Sequence, residues 1–160
     1  MCMNTNVISV NFDVFDGLDE LQKDDMQLAQ EALDAVPTAY APYSGFLVGA
    51  AVRLDDGTVV RGSNQENAAY PSGLCAERTA LFAAGAGFPG RRVVSMAIAG
   101  GPGGRITDLP VTPCGACRQV MAETTTRGGK FSLILVGGKK IYRFEDASSL
   151  LPLGFTSEIL

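Results

Sequence analysis

The run Val93-Val-Ser-Met-Ala-Ile-Ala99 is apolar but for Ser95. A strand with no polar face needs cover on both sides, which restricts the chain to a layered fold with helices above and below a sheet. The remaining pattern supplies such helices. Residues 24–35 carry Met26, Ala29, Leu33 and Val36 at helical spacing behind Asp24 and Asp25, and Pro37 ends the run. Residues 75–84 are rich in Ala, Leu and Phe before Gly85-Ala86-Gly87, and a third helix is predicted from about 114 to 124.

Further strands are predicted over 46–54 and 58–62, joined as a hairpin through Asp55-Asp56-Gly57. Others are predicted over 130–136 and, after Gly137-Gly138, over 141–144, with a short last helix over 146–151 before Pro152. Strands alternating with helices imply an α/β fold, a three-layer α/β/α domain on a mixed sheet of about five strands. At 160 residues, with 46% apolar and 19% charged residues, the chain has the makings of one globular domain. Residues 24–160 are assigned to it. Residues 1–23 are polar and weakly patterned, an N-terminal extension for which a mobile tail and an edge element both stay open.

The net charge of −4, with no Lys/Arg-rich run, offers no field for a phosphate backbone, so nucleic acid is not an expected partner. No apolar stretch approaches the roughly 20 residues of a membrane helix, and the N-terminus lacks a basic segment followed by an apolar run. A cytoplasmic protein with no membrane association is expected.

Four cysteines, Cys2, Cys75, Cys114 and Cys117, accompany a complete absence of histidine. That absence excludes Ser-His and Cys-His catalysis and every zinc site built with imidazole. In a reducing compartment, spaced cysteines more often bind metal or react than form disulfides. Cys2 is read as an unpaired thiol without function.

Two segments, Cys75-Ala76-Glu77-Arg78 and Pro113-Cys114-Gly115-Ala116-Cys117-Arg118, fall at predicted helix starts. Free N–H groups and the positive end of a helix there favour the thiolate, the form that ligates metal. Cys114 and Cys117 share a helix face and can reach one ion. Residues 75 and 77 diverge within a regular helix, so both serve one site only if Cys75 caps the helix and Glu77 occupies its first turn.

Three protein ligands leave a coordination position open, which marks a catalytic rather than a structural site. Three thiolates leave Zn²⁺ with a net negative site, and Arg78 is the neighbouring cation able to hydrogen-bond a ligand sulfur and offset that charge. Cys114 and Cys117 alone also fit a thiol redox pair or half of a structural zinc knuckle, and Glu77 alone fits a solvated helix-end charge. The joint pattern favours catalysis. Gly100-Gly101-Pro102-Gly103-Gly104 lacks the Gly-Lys-Ser/Thr ending of a phosphate loop and reads as a plain loop.

These segments, together with Pro42-Tyr43-Ser44-Gly45-Phe46, Val48-Gly49-Ala50-Ala51 and Asn64-Gln65-Glu66-Asn67-Ala68-Ala69-Tyr70-Pro71, make the chain resemble the small homotetrameric zinc-dependent cytidine deaminases from about residue 39 to 155. The resemblance implies a cytidine deaminase-like fold and hydrolytic deamination of cytidine and deoxycytidine, as in pyrimidine salvage. It implies Zn²⁺ held by Cys75, Cys114 and Cys117. Glu77 would take a proton from the attacking water, deliver it to the pyrimidine N3 and protonate the departing amine.

By the same resemblance Asn64 and Glu66 meet the ribose 3′-hydroxyl, Phe46 packs on the pyrimidine, and the backbone of Ala76 and carbonyl of Thr112 read the base and amine. Tyr70 and Phe155 would complete the pocket of a neighbouring subunit in a homotetramer with shared active sites. Without the resemblance, Asn64 and Glu66 read as closing a polar loop, and Tyr43 and Phe46 as core residues at the start of a strand. The segments 1–23 and 100–108 have no counterpart in the family pattern, and the tail around Phe155 matches it loosely. Competing functions are a deaminase for a modified cytosine compound, a zinc-stabilised module without catalysis, and a thiol redox protein.

Overall fold

The computed structural model of the chain describes residues 4–157, so Cys2 lies outside the described residues. Nine elements carry the fold: β1 (Asp13–Phe15), α1 (Lys23–Ala35), β2 (Phe46–Leu54), β3 (Val59–Ser63), α2 (Ala76–Gly87), β4 (Val93–Pro102), α3 (Gly115–Gly128), β5 (Ser132–Val136) and β6 (Ile141–Phe144). The strands form one sheet in the order β1-β6-β5-β4-β2-β3. Only β4 and β5 run parallel, and they are the pair that a helix, α3, connects. Every other pairing is antiparallel.

The sheet separates two apolar layers, and alternation along the strands sorts the side chains between them. On one face Ala50, Val52, Met96, Ile98, Leu133 and Leu135 pack beneath α2 and α3, joined by Ala80, Leu81, Cys117 and Met121. On the other, Ala51, Ala97, Ala99, Ile134 and Val136 pack against Leu28, Ala29 and Ala32 of α1. The three-layer α/β/α arrangement inferred from the sequence is therefore the observed one. Glycines set how closely helices approach. A Cβ on Gly49 would meet the Ala32 carbonyl oxygen at 2.2 Å, and one on Gly62 would meet the Ala80 nitrogen at 2.4 Å. Gly62 thus lets α2 lie directly on β3, which fixes the height of its N-terminus above the sheet.

The sheet has six strands rather than about five. The additional one comes from the N-terminal extension, where Asp13–Phe15 pairs with β6 in the register Asp13↔Arg143, Val14↔Tyr142, Phe15↔Ile141. Of the two readings of residues 1–23, that three-residue stretch takes the edge element. Just before the strand, the Phe12 ring packs on β6, its centroid 4.9 Å from that of Tyr142 and 5.1 Å from that of Phe144.

The buried stripe of α1 also differs from the predicted one. Asp25, Leu28, Ala29, Ala32 and Ala35 point inward, whereas Met26 is 37% exposed and Leu33 half-buried. The inward Asp25 is accounted for by Arg143 on β6, whose Nε donates to its carboxylate at 2.8 Å. The predicted last helix is a short 3-10 turn, Ala147–Leu150, capped by the Asp146 side chain accepting from the Ser148 N–H.

Candidate active site

Two helix starts converge at the edge of the α2/α3 layer. Cys75 is the N-cap of α2 and Cys114 the N-cap of α3, both with extended backbone, so each thiol stands clear of its helix while Glu77 and Cys117 fall within the first turns. This is the placement that lets residues 75 and 77 face one point. The Sγ atoms of Cys75 and Cys114 are 3.8 Å apart, those of Cys114 and Cys117 are 3.5 Å apart, and all three lie within 4.8 Å of one another. A tetrahedral ion with bonds of about 2.3 Å to sulfur requires ligand atoms about 3.8 Å apart. The two separations that involve Cys114 meet that requirement and the third stays within 4.8 Å, and among the described residues no fourth cysteine, and no histidine in the chain, stands ready to close the site.

The electrostatics of the cluster suit metal binding. The Cys75 thiol is lowered from 9.0 to about 5, first by the hydrogen bond from the Cys117 thiol and further by Arg78 and Cys114, against the opposing effect of burial. Cys117 moves the other way, because the neighbouring Cys75 and burial both favour its neutral thiol. One negative charge therefore settles first on Cys75. Arg78 stabilises it: Nη2 lies 3.9 Å from the Cys75 Sγ and 3.3 Å from the Gly73 carbonyl oxygen, to which it donates. Its Nε is buried with no partner among the described residues.

Glu77 is only 5% exposed. Burial raises its carboxyl above the ordinary value, and the negative charge at Cys75 adds to that, while its own backbone N–H, Cys117 and Arg78 act in the lowering direction. A carboxyl shifted in this direction holds a proton more readily than a free one, which suits it to accept and return protons.

Cys75, Cys114, Glu77 and Arg78 line one end of a cavity of about 630 Å³. Ala76, Thr112, Phe46, Asn64, Glu66 and Tyr70 line the same cavity. Cys117 lies buried behind it, at 0% exposure. Phe155 does not line this cavity. Its carbonyl accepts from Gln119 Nε2 on α3 at 2.7 Å, and its ring is 58% exposed. Tyr70, 76% exposed, stands on the rim of its own chain's cavity.

Tyr43 departs from the reading as a core residue. It is 52% exposed on the rim, its ring edge-on to Tyr70 with centroids 6.0 Å apart. Ser44 is a further wall residue that the motif reading passed over. Its Oγ accepts the Phe46 N–H at 3.0 Å, and the Ser-Gly pair before a strand was the available sign of such a turn. Glu66 Oε2 accepts the N–H groups of Tyr43 and Ser44 at 2.9 and 3.2 Å, and with the Ser44 hydroxyl these hold its carboxyl below the usual range. Asn64 Oδ1 accepts from the Val48 N–H and its Nδ2 donates to the Phe46 carbonyl, both at 2.8 Å.

Among the described residues, no helix is long and apolar enough to cross a membrane. The profile of the "cytidine and deoxycytidylate deaminase zinc-binding region" matches residues 22–132. A cytidine deaminase of Halalkalibacterium halodurans is 47% identical over 136 residues, 84% of this chain and 96% of that protein. One from Sporosarcina psychrophila is 40% identical over 134 residues, 84% of this chain and 93% of the other. Among solved structures, the cytidine deaminase of Burkholderia pseudomallei superposes with a TM-score of 0.69 at 43% identity, covering 81% of this chain and 97% of that one. The matched stretch contains Cys75, Cys114 and Cys117, whose sulfurs lie within 4.8 Å of one another, so the chain belongs to the cytidine and deoxycytidylate deaminase zinc-binding family and its cofactor is Zn²⁺, which the three-cysteine group fits.

Proposed function

We propose that the chain is a zinc-dependent cytidine deaminase, a hydrolase that converts cytidine and deoxycytidine to uridine and deoxyuridine with release of ammonia. The observation that carries this is the buried Glu77 carboxyl beside three sulfurs clustered within 4.8 Å of one another, at a cavity large enough for a nucleoside. Bound zinc supplies the Lewis acidity that makes a water molecule nucleophilic near neutral pH.

The chain's own residues account for the rest. Glu77 removes a proton from the attacking water and passes it to N3 of the pyrimidine as the water oxygen bonds to C4. It then moves a second proton to the exocyclic nitrogen, the C4–N bond breaks, and ammonia leaves with the carbonyl formed. Arg78 holds the negative charge of the sulfurs. Phe46 packs on the base, and the backbone of Ala76 and carbonyl of Thr112 read its polar edge. Asn64 keeps one Nδ2 hydrogen and Glu66 keeps Oε1 for the sugar 3′-hydroxyl, since their other groups are engaged by the main chain.

A homotetramer with shared sites completes the reading. Phe155 exposes its ring away from its own cavity, and Tyr70 stands exposed at the rim, which supports their use at a neighbour's pocket. The net charge of −4 argues against a polynucleotide substrate, and free thiolate ligands fit the cytoplasm. The test is ammonia release from cytidine by purified protein, followed with loss of the cytosine absorbance and with zinc content. Stoichiometric zinc and turnover are expected; zinc-loaded protein that releases no ammonia overturns the proposal. Release only from a base-modified cytosine nucleoside transfers it to that substrate, and an active monomer removes the shared pocket.

A further inference from the structure

β3 ends at Ser63, opposite Gly49 of β2, and the ladder between the two strands stops there. Asn64 continues it with a side chain. Its carboxamide accepts from the Val48 N–H and donates to the Phe46 carbonyl, 2.8 Å in each case. Its own N–H donates to the Val48 carbonyl at 3.2 Å, and its carbonyl accepts from the Tyr40 N–H at 2.9 Å. The carboxamide therefore presents one donor and one acceptor to the main chain on either side of Leu47, as a paired peptide group would. Glu66 does related work just upstream by accepting the N–H groups of Tyr43 and Ser44.

We propose that Asn64 is a positioning residue for deamination: its carboxamide sets the main-chain path of residues 46–48 and thereby the placement of the Phe46 ring in the cavity wall. The inference rests on the cytidine deaminase reading of that cavity and goes beyond any contact of Asn64 with the sugar. Phe46 begins β2, where the outgoing strand has lost its β3 partner, so nothing else on the β3 side holds its carbonyl or the Val48 N–H. Truncating Asn64 leaves both half-buried groups without a partner on that side, so residues 46–48 are held by β4 alone and their path can relax.

The test compares kcat/KM for cytidine and for 3′-deoxycytidine in the zinc-loaded protein and in Asn64→Ala, Asn64→Asp, Phe46→Ala and the Asn64→Ala/Phe46→Ala double variant. Asn64→Asp keeps the shape and the acceptor for Val48 but loses the donor to Phe46. A loss of about ten-fold or more, chiefly in KM, is expected in both Asn64 variants. About three-fold or more of it should remain on 3′-deoxycytidine, where the sugar contact no longer contributes, and on that substrate Asn64→Ala should add less than about two-fold to Phe46→Ala. A loss that disappears when the 3′-hydroxyl is absent, or one that multiplies fully with Phe46→Ala, overturns the proposal. Amide exchange supplies a reading that needs no turnover. The Val48 amide should exchange about ten-fold faster in Asn64→Ala while Ile98 on β4 keeps its protection; unchanged protection at Val48 overturns the clamp, whereas a wild-type protein inactive on cytidine overturns only the functional reading.

Discussion

The Cys75 Sγ lies 3.8 Å from the Cys114 Sγ although 39 positions separate them, because each residue caps a helix and both helices rest on the same face of the sheet. The cluster thus depends on how α2 and α3 are seated, and its third sulfur, on Cys117, is buried in the layer between them. Replacing Cys117 by Ser should remove stoichiometric zinc and abolish activity. Cobalt reconstitution checks it directly: the parent should show intense sulfur-to-metal charge-transfer absorption, and a Cys117→Ser protein with the same absorption would show that two thiolates suffice.

Glu77→Gln separates metal binding from proton transfer. The amide matches the carboxylate in size at a 5% exposed position, so the fold and zinc content should stay unchanged. Turnover should fall by at least about 10²- to 10⁴-fold, the usual contribution of a positioned acid-base group. Single-turnover kinetics on cytidine measure it, and near-parental rates would place the proton shuttle elsewhere.

The opposite shifts of Cys75 and Cys117 make the reduced, zinc-stripped protein titrate unevenly. One thiol should react with iodoacetamide along a curve centred near pH 5, assigned to Cys75 by peptide mapping, while Cys117 stays unreactive to well above pH 9. The sign for stability follows. The folded value of Cys75 is depressed from 9.0 to about 5, so its contribution is present above the unfolded value and is lost as pH falls through about 5. Alkylation of all three thiols along one curve above pH 8 would contradict the shared-proton arrangement.

Arg78→Gln should retain zinc and lower kcat, since the guanidinium lies 3.9 Å from the Cys75 sulfur and counteracts the charge of the thiolates. Arg78→Lys should recover part of the loss, as a cation without the planar fork that also reaches Gly73. Kinetics of both variants beside metal analysis decide the matter. Equal turnover in all three proteins would leave Arg78 a purely structural role.

The site was more legible in the sequence than the periphery of the fold, and the difference has a physical basis. Cysteines at helix caps and an acid two residues on are local patterns, so Cys75, Glu77, Cys114 and Cys117 declare their geometry through helix boundaries alone. The strand at Asp13–Phe15 owes its existence to β6, more than 120 residues away, and three residues carry too little pattern to announce that partner. Gly100–Pro102, read as part of a plain loop, extend β4 against β2, and residues up to 108 are held largely by main-chain bonds, Thr107 N–H to Gly100, Gly138 N–H to Thr107 and Lys139 N–H to Asp108, beside which the Thr107 hydroxyl and the Lys139–Asp108 ion pair are isolated signals without a period. The sequence offered Asn64 as a residue closing a polar loop but not the main-chain partners it grips, Val48 and Phe46, which lie 16 and 18 residues away.

Asp25 and Arg143 give the last prediction, on stability rather than chemistry. The pair joins α1 to β6 with side chains 11% and 21% exposed, and Arg143 also meets Glu145 and Asp13, so it anchors the edge strand as well. Removing the two partners should have unequal effects. Arg143→Met leaves the Asp25 carboxylate buried without its cation and should cost about 3 kcal/mol, because an orphaned buried charge carries its full desolvation penalty. Asp25→Asn keeps an oxygen to accept from Arg143, which retains its other acidic neighbours, and should cost about 1 kcal/mol. Urea unfolding of the zinc-loaded proteins measures both. Equal costs, or a larger one for Asp25→Asn, would mean that Arg143 rather than Asp25 is the group that needs its partner.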